Sequence, residues 1–296
     1  MGILLFGESG QVGSACVKEA GKQGIDIVAL NRSEADFSRP EIFRKLIQKY
    51  NPALVINAAA YTAVDDAEDE KDLAFLINAF APGAIAKACS ELDIPIVHIS
   101  TDYVFDGTSK SAYKESDTTN PINVYGSSKL QGEQLIEDCC EKFIILRTSW
   151  VFSAHGSNFV KTMFNLSGRG KLNVVADQYG CPTYAGHIAE MLLNIARKFM
   201  SGESVSWGVY HFSGDEKISW CEFSKAIFQS MRDEGVVESI PEVQAIDTDG
   251  YPTKAVRPKM TVLDQTKIGS EFQMPDADWR RGLNETITLL SVLSEA

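Results

Sequence analysis

The chain opens on four consecutive apolar residues, Ile3, Leu4, Leu5 and Phe6, which stop at Gly7, and further glycines stand at positions 10 and 13. An apolar run without polar alternation predicts a strand buried on both faces, as in a parallel sheet covered by helices. A helical pattern follows from Gln11 to Lys22. The segment Gly7-Glu8-Ser9-Gly10-Gln11-Val12-Gly13 therefore joins a buried strand to a helix start. Glycines let the backbone turn tightly and approach a pyrophosphate, while the first helical N–H groups and the helix dipole offer it positive charge. The spacing is Gly-x-x-Gly-x-x-Gly rather than Gly-x-Gly-x-x-Gly, so the position between strand and helix carries the inference. A tight structural turn is the competing reading.

Further along, strands are predicted at Asp26–Leu30, Leu54–Asn57, Ile96–Ile99 and Phe143–Leu146. Helices are predicted at Pro40–Lys49, Leu73–Leu92 and residues 121–141. This alternation predicts an α/β fold, a Rossmann-type doubly wound parallel sheet with right-handed crossovers. Beyond residue 150 glycines and Pro182 break the pattern, with a strand at Val209–Phe212, a helix at Glu222–Glu234 and poor patterning over Glu238–Pro258. We expect residues 1–150 to form an NAD(P)-binding domain. Residues 151–296 are expected to form mainly a smaller C-terminal substrate-binding lobe, interleaved with the first domain.

A net charge of −12 gives no long-range attraction for nucleic acid or an anionic membrane. An anionic small substrate must then be held by local groups. The six cysteines form neither a CxxC pair nor a zinc-spaced cluster and read as free thiols of a reducing compartment. Residues 1–7 lack the basic lead of a signal peptide, and no run approaches the apolar length of a spanning helix. A cytoplasmic protein is expected.

Cofactor choice falls at the end of the second strand. An acidic residue there would bind the ribose 2′-hydroxyl of NAD, but the chain carries Asn31 and Arg32, which points toward NADPH with NADH as the alternative. A solvated arginine is the bland reading of Arg32. Asp36 and Phe37 follow and could flank the adenine.

Tyr125 and Lys129 are four residues apart on a predicted helix and share a face. Ketone reduction needs an acid for the developing alkoxide. A tyrosine with a nearby ammonium that lowers its pKa fits, although a surface pair is the reading if nothing else converges. Ser100-Thr101-Asp102 follows the strand that ends at Ile99, where residues of a parallel sheet face the ligand crevice. A hydroxyl there can hold a substrate carbonyl, with Ser100 as the alternative to Thr101. Asn57-Ala58-Ala59-Ala60 also ends a strand, with small residues that admit a cofactor.

Together with these, Asn57–Val64 (NAAAYTAV), Ser100–Gly107 (STDYVFDG), Tyr125–Glu133 (YGSSKLQGE), Arg147–Phe152 (RTSWVF), Asp177–Thr183 (DQYGCPT) and Arg257–Asp264 (RPKMTVLD) run in one order along nearly the whole chain. In this the chain resembles the bacterial dTDP-4-dehydrorhamnose reductase family of the extended short-chain dehydrogenases. The resemblance implies Tyr125 as proton donor, Lys129 as its partner and Thr101 as the third catalytic member. It implies cofactor contacts from Gly7, Gly10, Gln11, Val12, Gly13, Ala60, Tyr61, Thr62 and Ile99, with Asp102 and Trp150 against the sugar. Family members often carry a histidine where this chain has Tyr61. The implied reaction reduces a dTDP-linked 4-keto-6-deoxy sugar, dTDP-4-keto-L-rhamnose, to dTDP-L-rhamnose. Magnesium and a homodimer enter by resemblance only, and no acidic cluster places a metal.

Two rivals remain at this point: a related 4-keto-sugar reductase of opposite C4 stereochemistry, and a non-catalytic dinucleotide-binding subunit related to that of methionine adenosyltransferase. His98, in a core strand, reads as a satisfied buried histidine, and His155 as a loop residue. The acidic run Asp65–Glu70 reads as a solvated helix start. Arg257 reads either as a diphosphate ligand or as half of an ion pair.

Overall fold

The computed structural model describes residues 2–275 and 277–295. The first half alternates as β1 Ile3–Phe6, α1 Gln11–Gln23, β2 Ile27–Leu30, α2 Phe43–Tyr50, β3 Leu54–Asn57, α3 Lys71–Phe75, α4 Ala81–Glu91, β4 Ile96–Thr101, α5 Val124–Cys139 and β5 Phe143–Thr148. The second half adds β6 Val151–Phe152, α6 Phe159–Leu166, β7 Lys171–Val175, β8 Tyr179–Gly180, β9 Thr183–Tyr184, α7 Ala185–Met200, β10 Gly208–His211, β11 Ile218–Ser219, α8 Trp220–Asp233, β12 Glu242–Ile246, α9 Thr266–Glu271 and α10 Trp279–Glu295.

Six strands form one parallel sheet in the order β2-β1-β3-β4-β5-β10. Strand order reverses between β1 and β3, and a doubly wound sheet opens its ligand crevice at such a point, beyond the carboxyl ends of the strands. The side chains of β1 alternate between two cores, as the pleat requires. Ile3 and Leu5 pack with α1 and α7, while Leu4 and Phe6 pack with α2, α4 and α5. All four are fully buried, each contributing roughly 1.5–3 kcal/mol. A third core, around Phe152, Phe223, Trp279 and Leu283, lies under α6, α8 and α10. Strand β10 returns from the second half to extend the sheet, and helices α7 and α9 return to cover it.

Four expectations change. Strand β4 runs on to Thr101, because Ser100 and Thr101 pair with Arg147 and Thr148 of β5; both hydroxyls thus sit on the strand end rather than after it. The helix expected over Leu73–Leu92 begins at Lys71 and passes through a π turn, Leu76–Phe80, before α4. Lys71–Glu91 is also long and apolar enough by length and composition to cross a membrane, which corrects the expectation that no segment is. Its apolar character has a local cause: α4 is wedged between α2, α5 and the sheet, with Ala81, Ile85, Ala86 and Cys89 buried. The poorly patterned Glu238–Pro258 contains β12, paired parallel with β7; its residues are mostly exposed, so no apolar alternation marks it.

Candidate active site

A cavity of about 760 Å³ opens over the β1–β3 switch point and runs to the third core, within the size range of small-molecule sites. Its near wall is the turn after β1. Gly7 has φ +93°, and a Cβ there would meet Ala59 N at 2.7 Å. A Cβ on Gly13 would sit 2.0 Å from Gly7 O. Turn and helix are therefore pressed together more closely than any side chain permits. Gly10 caps α1 with no side-chain hydrogen bond, so the first helical N–H groups face the cavity beside Gln11 and Val12. This donor set fits a dinucleotide pyrophosphate. Asn31, Arg32, Asp36 and Phe37 continue the wall, followed by Ala60, Thr62 and Ile99.

Gly13 and Tyr61 do not line the cavity. The role of Gly13 is the close approach just described. The Tyr61 hydroxyl turns outward to donate to Glu70 at 2.7 Å, while its backbone is gripped by Asn78, whose Oδ1 accepts from Tyr61 N at 2.8 Å and whose Nδ2 donates to Tyr61 O at 3.0 Å. Asn78 stands in the π turn, which brings it inward to hold the Ala58–Thr62 wall.

Thr101, Asp102, Tyr125 and Lys129 converge on the cavity floor. Helix α5 reaches it because a Cβ on Gly126 would lie 2.2 Å from Tyr103 O, so only glycine lets Tyr125 come up against the end of β4. Asn123 caps that helix by accepting from Gly126 N at 2.8 Å. The Thr101 hydroxyl donates to Asp102 Oδ1 at 3.0 Å and accepts from Tyr103 N at 3.2 Å. Burial pushes the Tyr125 phenol up to about 12, opposed by a hydrogen bond with Thr101. The lowering expected from Lys129 is not seen: Lys129 Nζ donates to Ile99 O at 2.7 Å and contacts His98 Nε2 at 3.1 Å instead. Tyr125 is thus a protonated phenol at neutral pH, the form an acid must have. Burial lowers Lys129 to about 8, opposed by Glu133 one turn along. Glu133 is tied to Arg147 of β5 in a buried bidentate pair with its shortest contact at 2.6 Å.

Burial also raises Asp102 to about 7. Asp102 Oδ2, Ser100 Oγ and Thr148 Oγ1 are buried and make no hydrogen bond within the chain, although their residues line the cavity. Buried polar atoms of this kind are ordinarily paired; here they fit a polyhydroxylated ligand. At the far end Trp150, held at φ +45°, stacks on Trp220 at 3.4 Å between centroids and 6° between planes. Strain of this kind persists where surrounding structure enforces it, often at ligand sites.

Sequence reasoning missed Trp220, Asn78 and Gly126. A capping box of Ser219 and Glu222 at the head of α8 was the available signal for the first. It also missed the tie between the two halves: Gln11 Oε1 accepts from Asn158 Nδ2 at 2.8 Å and from Ser153 Oγ at 3.1 Å. Arg257 pairs with Asp65 at 2.8 Å and does not line the cavity, which favours the ion-pair reading. Among the described residues no cluster of His, Cys, Asp or Glu could hold a metal.

The family described as RmlD substrate binding domain matches residues 1–292. A dTDP-4-dehydrorhamnose reductase of Aggregatibacter actinomycetemcomitans is 44% identical over 95% of this chain and 96% of its own length. One from Salmonella typhimurium is 39% identical over 97% of each. Among solved structures, the enzyme of that name from Clostridium acetobutylicum superposes with a TM-score of 0.88 at 33% identity, covering 98% of this chain and 99% of that one. The Bacillus anthracis enzyme, solved in complex with NADP, gives 0.86 at 33% identity, covering 97% and 98%. A cradle for a dinucleotide, a convergent Thr-Tyr-Lys floor and end-to-end similarity to these proteins lead to one conclusion: the chain belongs to the dTDP-4-dehydrorhamnose reductase family.

Proposed function

We propose that this protein reduces dTDP-4-keto-L-rhamnose to dTDP-L-rhamnose with NADPH, in nucleotide-sugar synthesis for cell-surface polysaccharide. The observation that carries the reading is the protonated, half-buried Tyr125 phenol beside the Thr101 hydroxyl on the floor of a cavity that begins in a dinucleotide cradle. Bound NADPH would supply the hydride to the C4 carbonyl carbon. Gly10, Gln11 and Val12 would hold its phosphates and Arg32 its 2′-phosphate. Tyr125 donates its proton to the new oxygen, and Thr101 holds that oxygen by a hydrogen bond as negative charge develops. Lys129 balances the phenolate that remains. Asp102, Ser100 and Thr148 offer hydrogen bonds to the sugar, and Trp150 offers an apolar face to the deoxy ring. In this reading the lobe built largely from residues 151–296 binds the sugar nucleotide, and the enzyme works in the cytoplasm.

The regulatory-subunit reading has no comparable support, since such a protein needs no convergent acid, hydroxyl and amine. The test is to follow NADPH oxidation with enzymatically prepared dTDP-4-keto-L-rhamnose and to identify the product by NMR. Turnover to the rhamnose configuration at C4 supports the proposal. Dinucleotide binding without turnover would overturn it, and a talose-type product would replace it with the epimeric reductase.

A further inference from the structure

Behind the cavity floor lies a hydrogen-bonded chain whose polarity is fixed from one end. Ala59 N, a donor only, gives its hydrogen to Asn57 Oδ1 at 3.1 Å. That bond settles which way the Asn57 amide faces, so Nδ2 points at His98 Nδ1, 3.0 Å away. His98 is fully buried, and burial holds its pKa well below the usual value; the ring is neutral and carries one proton. Because Nδ1 accepts from Asn57, that proton is on Nε2. Nε2–H then faces Lys129 Nζ at 3.1 Å. A neutral amine accepts this hydrogen and still donates to Ile99 O at 2.7 Å. An ammonium, which has no acceptor, would oppose it N–H to N–H.

We infer that the Asn57–His98 pair sets the protonation state of Lys129, favouring its neutral amine in the dinucleotide-free enzyme so that the amine takes up proton when dinucleotide binds. This rests on the reading of the cavity as a dinucleotide site. An anionic dinucleotide beside the amine favours its charged form. Charging it costs the Nε2–H bond to Nζ, and the ammonium keeps its donation to Ile99 O and turns its other hydrogens toward the dinucleotide; His98 keeps its Nε2 proton throughout, and the proton gained comes from solvent. The other charged group acting on the amine is Glu133 on α5, already matched by Arg147 on β5. His98 is thus a positioning residue, acting through Lys129. The amine enters catalysis charged, the form that can balance the Tyr125 phenolate.

Calorimetric titration of the intact enzyme with NADPH, in buffers of different ionisation enthalpy near pH 8, reads the proton count directly. At that pH the cofactor's 2′-phosphate, with a second pKa of about 6, is ionised free and bound and adds nothing. Wild type should take up about half a proton per site, and Lys129→Met none. Asn57→Asp reverses the chain, since a carboxylate accepts from both Ala59 N–H and His98 Nδ1–H and leaves Nε2 to accept from a charged lysine. His98→Gln likewise offers the lysine a carbonyl. In both variants uptake should fall toward zero while NADPH still binds, a change that a merely structural role would not produce. Binding without uptake in wild type, uptake that survives Lys129→Met, or uptake unchanged in Asn57→Asp would overturn the inference and leave the proposed function standing. Failure of NADPH to bind at all would overturn both.

Discussion

Around Gly7, Gly10 and Ala59 the cavity wall is backbone; around Asp102, Trp150 and Trp220 it is side chain. At the first end specificity for phosphate comes from N–H groups and from the absence of Cβ atoms. At the second it comes from a strained tryptophan stacked on another and from buried polar atoms left for a ligand. The backbone end is assembled from neighbours in sequence and depends on sterics. The side-chain end is assembled across long separations and depends on electrostatics and aromatic contact. Substitutions should therefore separate the two ends by which constant they change.

The largest effect belongs to the floor where the ends meet. Tyr125→Phe should lower kcat by about two orders of magnitude or more, with NADPH affinity within about twofold of wild type; steady-state kinetics and a binding titration read both. At the backbone end, Gly13→Ala drives a methyl into Gly7 O. It should weaken NADPH binding at least about tenfold and cost about 1–3 kcal/mol in urea unfolding. At the side-chain end, Trp220→Ala removes a stack worth about 0.5–1.5 kcal/mol and should raise the substrate KM by up to about tenfold, leaving NADPH affinity alone. If Trp220→Ala weakened NADPH binding instead, the division of the cavity would fail.

Asp102 sharpens the comparison through pH. Its folded pKa is raised, to about 7 from 3.8, by burial. A raised folded value means that the stability it allows is present at acid pH and lost as pH rises from about 4 through about 7. Asp102→Asn cannot ionise, so its stability relative to wild type should grow over that window, as paired urea unfolding at each pH would read. The smallest effect is expected at Tyr61, whose hydroxyl meets only Glu70 near the surface. Tyr61→Phe should change stability by less than about 0.5 kcal/mol and leave NADPH affinity unchanged.

The same division explains what was legible in the sequence. The backbone end was, because a buried strand, a glycine turn and a helix start are contiguous in the chain; β1, β3 and α1 lie within a residue of where their patterns placed them. Thr101, Tyr125 and Lys129 were legible as strand-end and helix-face positions. Three kinds of information were not. The inward turn of Asn78 needs a π turn that no local propensity announces. The partner of Trp150 is some seventy residues away, so its stack on Trp220 exists only after the third core has formed. The pairing of β12 with β7 is governed by backbone bonds; β12 is mostly exposed and β7 buries only Val174 and Val175, so no hydrophobic period marks the pair.

The most direct test of the account is a crystal structure of the enzyme with NADPH and dTDP-L-rhamnose bound. The account predicts the pyrophosphate on the N–H groups of Gly10, Gln11 and Val12, and the sugar O4 within hydrogen-bond reach of both the Tyr125 and Thr101 hydroxyls. Phosphates bound elsewhere, or a sugar whose C4 faces away from Tyr125, would contradict it.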